Sequence, residues 1–136
     1  MLLAVLLSAW IQSPDPAPPV TSALAASKVA RRTDLSLPDL VGDFDGDGKP
    51  DRAVAVVLAK GKERGVLVVW GGGRAPVLLG ATTDFNHFRD HDFDQWEVRK
   101  AKAPKKADAM VWVWSEKASA RIAWNGKAFR WIQEGD

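Results

Sequence analysis

The residues best placed to do chemistry are the aspartates of one short stretch, Asp43-Phe44-Asp45-Gly46-Asp47-Gly48-Lys49-Pro50-Asp51. Carboxylates stand at positions 1, 3, 5 and 9, with glycines at 4 and 6. A chain curling around an ion turns every second side chain inward, so Asp43, Asp45 and Asp47 converge. Gly46 and Gly48 allow the tight turn that a Cβ would oppose. Lys49 would offer its backbone carbonyl and leave its ammonium in water. Pro50 stiffens the exit, and Asp51 closes the ring directly or through a water. Without a cation the crowding is costly, because two carboxylates about 4 Å apart repel by roughly 4 kcal/mol at an effective dielectric near 20. Either some protonate or a cation sits among them. An all-oxygen set suits Ca2+, which takes six to eight oxygens at about 2.3–2.6 Å. The alternative is a bare acidic turn held by Asx-type hydrogen bonds.

Two kinds of calcium loop begin this way. An EF-hand loop runs on to a bidentate Glu at position 12 and lies between helices. Here position 12 is Val54, and Arg52-Ala53-Val54-Ala55-Val56-Val57-Leu58 is β-rich, so the EF-hand reading fails. The shorter pattern, Asp-x-Asp-x-Asp-Gly-x-x-Asp leading straight into a strand, resembles the calcium loops of FG-GAP and VCBS repeats. Gly65-Val66-Leu67-Val68-Val69-Trp70 looks like the strand that follows such a loop. The resemblance covers residues 40–70, about a quarter of the chain, and implies a Ca2+ site on Asp43, Asp45, Asp47, Lys49 and Asp51. It is a single half-repeat, with no second Asp-x-Asp-x-Asp-Gly. One repeat cannot bury its own faces, so a closed propeller is excluded for the monomer and no ligand-binding role is carried over.

The elements that must hold this loop are mostly strands. Ala53–Leu58 is a nearly continuous apolar run, as expected of a central strand covered on both faces. Gly65–Trp70 and Pro76–Gly80 follow across turns. Residues 95–100 alternate, with Trp96 and Val98 on one face. Ala109–Trp114 places Met110, Trp112 and Trp114 together. Asn125-Gly126 signals a two-residue type I′ turn, pairing Trp124 with Lys127 and Ile122 with Phe129. Ahead of the loop, Thr21–Arg32 has helical composition, with Thr21 as its cap and Arg31-Arg32 at its end. The expected fold is mainly β (α+β): an antiparallel meander of about seven strands, one short N-terminal helix, and no closed propeller.

The chain has 136 residues, one domain's worth. It has no cysteine, which excludes disulfides, thiolate catalysis and cysteine-bound zinc. A net charge of +2 does not mark a nucleic-acid binder. Leu2–Ile11 is an apolar run too short to span a bilayer and fit for a signal-peptide core. The expected organisation is a signal peptide over 1–12, a Pro-rich linker over 13–20 and one calcium-binding β domain over 21–136. No transmembrane span is expected after cleavage. Secretion or a periplasmic location suits a weak calcium module.

Three other features compete for function. The stretch Asp84–Asp94 holds both histidines, and His87 and His91 at i, i+4 would chelate a metal with Asp90 or Asp94 if it were helical. The bland alternative is a polar connection anchored by its phenylalanines. Seven tryptophans either fill a small core or, if Trp112 and Trp114 face solvent, form a sugar platform. The basic run Arg99–Lys106 is a solvated loop or a contact for an anionic polymer. No nucleophile elbow or phosphate-binding glycine loop is present. The chain is therefore expected to be a non-enzymatic, calcium-binding exported module with a structural or binding role in the cell envelope. A glycan- or envelope-polymer-binding module and a small metal-dependent hydrolase are the alternatives.

Overall fold

A computed structural model describes residues 17–102, 106–115 and 117–135. The signal peptide expected over 1–12 and the start of the Pro-rich linker lie outside the described residues. The helix α1 runs only over Thr21–Ser27 and follows Val20, with no side-chain cap, so Thr21 is its first residue rather than its cap. Lys28 adopts the left-handed conformation (φ 59) and turns its N–H back onto the carbonyls of Leu24 and Ala25. The expected continuation to Arg32 is overturned: Val29–Arg31 is a strand, β1. A seven-residue helix with no buried side chain has little to hold it, whereas the β1 segment gains a ladder.

That ladder is built on β3 (Asp51–Leu58), where Val29 pairs with Leu58 and Arg31 with Val56. The strand β2 (Leu40–Gly42) pairs with the other end of β3, Leu40 opposite Ala53 and Gly42 opposite Asp51. On the opposite edge of β3 lies β4 (Arg64–Val69), then β5 (Val77–Gly80). A second sheet follows the chain order β6 (Gln95–Arg99), β7 (Ala109–Trp114), β8 (Ala118–Trp124) and β9 (Phe129–Gly135). All pairings are antiparallel. The two strands beyond the expected seven are β1 and β2, at three residues each too short for alternation to register.

Burial explains why the β3 sequence is apolar on both sides. Ala53 and Ala55 join a core shared with Phe93 and with Trp96, Met110, Trp112 and Ile122 of the second sheet. Val54 and Val56 face the other way, with Leu67, Val69 and the partly buried Ala23 and Leu24 of α1. The loop-bearing sheet is thus covered by the C-terminal strands on one face and by the N-terminal segment on the other. Trp112 is fully buried, which removes it from any solvent-facing sugar platform. Core filling is what that tryptophan does.

The C-terminal hairpin keeps the expected faces with a different register. Trp124 pairs with Phe129 and Ile122 with Trp131, a shift of two residues, so the same side chains still point inward. Of the two central residues a type I′ turn would need at positive φ, only Gly126 has it (φ 101). Instead Asn125 Oδ1 accepts the N–H groups of Lys127 and Ala128, both at 2.9 Å, making a wider Asx-closed loop.

Candidate metal centre

The acidic loop is the connection of the β2–β3 hairpin, entered after Gly42 and left at its cross-strand partner Asp51. Gly46 (φ 77) and Gly48 (φ 87) both use the left-handed backbone that the turn requires. Phe44 is wholly buried in the shared core and draws the loop down onto the protein. Its flanking carboxylates are thereby brought over the start of β3. Asp43, Asp45 and Asp51 each place a carboxylate oxygen within 4.8 Å of the others. Asp47 is exposed and lies outside this group, with Oδ1 accepting the Lys49 N–H at 2.8 Å. Lys49 is exposed as well.

Backbone donors organise the three. Asp43 accepts from Asp47 N (3.1 Å, Oδ1) and Gly48 N (2.8 Å, Oδ2). Asp45 Oδ1 accepts from Asp47 N at 3.2 Å. Asp51, fully buried, accepts from Phe44 N through Oδ2 and from Gly71 N through Oδ1, both at 2.8 Å. These include the Asx-type bonds of the metal-free alternative. An Asx turn does not require burial, however, and here the Asp45 side chain is only 3% exposed. Its one nearby cation among the described residues is Arg74, at 3.8 Å. Asp51 has no ion-pair partner among the described residues. Burial pushes the Asp45 carboxyl up to about 6, helped by its neighbours Asp47 and Asp51. Burial also raises Asp51, against the pull of its two N–H donors. The arrangement offers three convergent, partly uncompensated oxygen donors, which fits a hard cation.

Three residues of the site lie far away in sequence. Gly71 supplies the N–H that fixes Asp51, and a Cβ there would come within 2.2 Å of Pro50 O. Arg74 is held over the rings of Trp70 and Trp124, at 5.1 and 5.2 Å, while reaching Asp45. Asp108 accepts the Asp43 N–H at 3.0 Å and returns its own N–H to Asp43 O at 2.8 Å. The Gly71-Gly72-Gly73 run stands between two apolar stretches of the sequence, and its part in the loop has no local signal. Asp108 has none at all.

The histidine segment is not helical. Asn86 (φ 52) and His87 (φ 74) form the corner of a tight turn closed by Phe85 and Phe88, which exchange backbone hydrogen bonds. His87 is exposed, whereas His91 is buried and donates from Nε2 to Phe88 O at 3.0 Å. The i, i+4 chelate therefore does not form. Of the basic run, Arg99 pairs with Glu134 and Lys100 with Asp108, and residues 103–105 lie outside the described residues.

No protein-family model, curated protein or solved structure matches this chain. Its chemistry is therefore read from the site itself.

The buried carboxylates predict an unusual pH dependence. Asp45 would titrate near 3.8 in the unfolded chain and about 6 in the fold. Between those values the folded state holds more protons, so metal-free stability falls as pH rises from about 4 to 6. Asp51 acts in the same sense. Asp34, Asp90 and Asp108 are held below the usual carboxylate range, so their contributions are lost only on further acidification. In metal-depleted buffer the protein should melt several degrees higher near pH 4.5 than at pH 7. Asp45→Asn should flatten that slope. A metal-free melting temperature that climbs steadily from pH 4.5 to 7 would contradict the electrostatic account.

Proposed function

We propose that this chain is a calcium-binding, exported β-module with a structural or binding role in the cell envelope. The observation that carries the proposal is the convergence of Asp43, Asp45 and Asp51 within 4.8 Å, two of them with buried side chains. At 4.8 Å two full charges repel by about 3 kcal/mol at an effective dielectric near 20, which a divalent cation would reverse. Asp43, Asp45 and Asp51 would hold the ion directly. Asp47 and the Lys49 carbonyl would join by a small rearrangement of the exposed loop tip, as in the FG-GAP and VCBS loops this stretch resembles. Binding would fix the β2–β3 connection and, through Asp51 and Gly71, its junction with the end of β4.

Secretion or a periplasmic location belongs to the same proposal, because calcium modules of ~10⁻⁴–10⁻³ M affinity are filled in extracellular compartments. A non-enzymatic role accords with the histidines lying apart. At free calcium a hundred times the dissociation constant, the fold would gain about 2.7 kcal/mol, or on the order of 10 °C in melting temperature. The test is a calcium titration by calorimetry and thermal melting, on the wild type and Asp45→Asn. The variant should be more stable than the wild type without metal at pH 7, and indifferent to calcium. Equal melting temperatures in chelator and in about 10–100 mM calcium, a hundred times such dissociation constants, would sink the proposal.

A further inference from the structure

Phe88, the Asp90–Asp92 segment and strands β7, β8 and β9 line an open cleft of about 290 Å³, beside the aromatic cluster around Trp112. Its lining includes Phe88, Asp90, His91, Asp92, Trp114, Trp131 and Gln133, with no lysine or arginine among the described residues, and Arg64 stands beside it, paired with Asp90. Four rings and two carboxylates, Asp90 and Asp92, in one small cleft set it apart on a chain whose net charge is positive.

Three of the four rings are fixed before any ligand arrives. Trp114 donates its indole N–H to Asp92 Oδ1 at 2.9 Å, and Trp131 donates to Gln133 Oε1 at 3.1 Å. The two indoles lie 5.3 Å apart at 41°. His91 is locked by its bond to Phe88 O, and burial keeps the imidazole neutral to lower pH than usual. Phe88 is 63% exposed, the most open large apolar side chain among those described.

The polar groups decide what such a cleft can take. Gln133 has no donor to spare, since its Nε2 donates to Ser119 O (3.3 Å) and Gly135 O (2.7 Å). Asp90 is engaged by Arg64 through both of its oxygens, at 2.8 and 2.7 Å. A sugar would find almost no free donors for its hydroxyls. What remains open is Asp92 Oδ2, which accepts no hydrogen bond among the described residues and has Arg64 only as a more distant charge, in a cleft it shares with the rings of Trp114 and Trp131. A negative oxygen flanked by aromatic rings is suited to a poorly hydrated organic cation.

We propose that this cleft binds a methylated or quaternary ammonium group, with Asp92 neutralising its charge and Trp114, Trp131 and Phe88 packing on its methyls. The cavity lies at the small end of the ~300–1,000 Å³ range of ligand sites, in keeping with a headgroup-sized cation. The site is independent of the calcium loop.

The test is an NMR titration of the full chain with tetramethylammonium and with choline, at constant ionic strength set by sodium chloride. The indole N–H signals of Trp114 and Trp131 should move saturably, and sodium should not move them. Asp92→Asn retains the acceptor for Trp114 and should weaken binding at least tenfold. Phe88→Ala, at an exposed position, should weaken it severalfold, with both variants melting near the wild type. Co-sedimentation with phosphatidylcholine vesicles, lost in Asp92→Asn, would place the group on a lipid, whereas capture of free choline alone would place it on a soluble or polymer-borne ligand. Either result supports the proposal. Linear indole shifts with no saturation, unchanged affinity in Asp92→Asn, or saturation by maltotriose in place of choline would overturn it.

Discussion

Replacing Asp51 by alanine is expected to destabilise the protein by roughly 2–4 kcal/mol, since it strips the acceptors from one buried and one partly buried N–H group. Those groups belong to Phe44 and Gly71, and both bonds are 2.8 Å long. The carboxylate thus ties the loop's deepest anchor to the segment leaving β4. Relief of its own buried charge offsets part of the loss. Asp51→Asn tests the geometry more finely. An amide offers one acceptor and one donor, so its NH2 would confront either the Phe44 or the Gly71 N–H. Asparagine should therefore also destabilise, though it preserves the volume. Neither variant should be stabilised by calcium. Chemical denaturation in chelator, repeated with calcium, measures both effects. Retention of a full calcium shift by Asp51→Ala would remove Asp51 from the ligand set.

Trp112→Ala should cost about 3–5 kcal/mol, the usual penalty for emptying an aromatic core position. That is a large share of the ~5–15 kcal/mol that holds a domain together. Trp112 is fully buried on β7, between its register partners Trp96 and Ala120. It stacks on Phe93 at 4.8 Å and meets His91 at 5.4 Å and Phe85 at 5.7 Å. Its indole Nε1 is buried without a hydrogen-bond partner in the described structure. Trp112→Phe loses volume yet leaves no acceptor unpaired, so it should be distinctly milder than alanine. Guanidinium unfolding, with near-ultraviolet circular dichroism to follow the aromatic packing, separates the two. Equal losses for phenylalanine and alanine would show that ring packing is not what Trp112 contributes.

The histidines show where residue spacing misleads. An i, i+4 pair means one face only if the backbone is helical, and nothing in Asp84–Asp94 enforces that. Two consecutive residues at positive φ turn the chain back instead, burying His91 and exposing His87. The hairpin at Asn125 misleads more gently. A strong turn signal was present, but the wider loop moved the register by two and so preserved every inward face. Faces are set by a period of two, whereas register depends on the turn that tertiary packing selects.

The sequence alone determined the acidic loop, the glycines that let it turn, and the two-sided burial of β3, because each is written in spacing over a few residues. Local composition could also tell that strands would dominate. Only the tertiary structure decided which carboxylates meet. Asp47 lies at the heart of the motif yet faces solvent, while Asp51 is drawn inward by Gly71, twenty positions further on. Arg74 and Asp108 join the loop for the same reason: sheet pairing and a shared core bring together groups that no short-range pattern connects. The aromatic cleft arose likewise, from a turn and strands that meet only when the second sheet has formed. Short-range spacing sets what a segment can do, and long-range packing sets which neighbours and how little water it does it with.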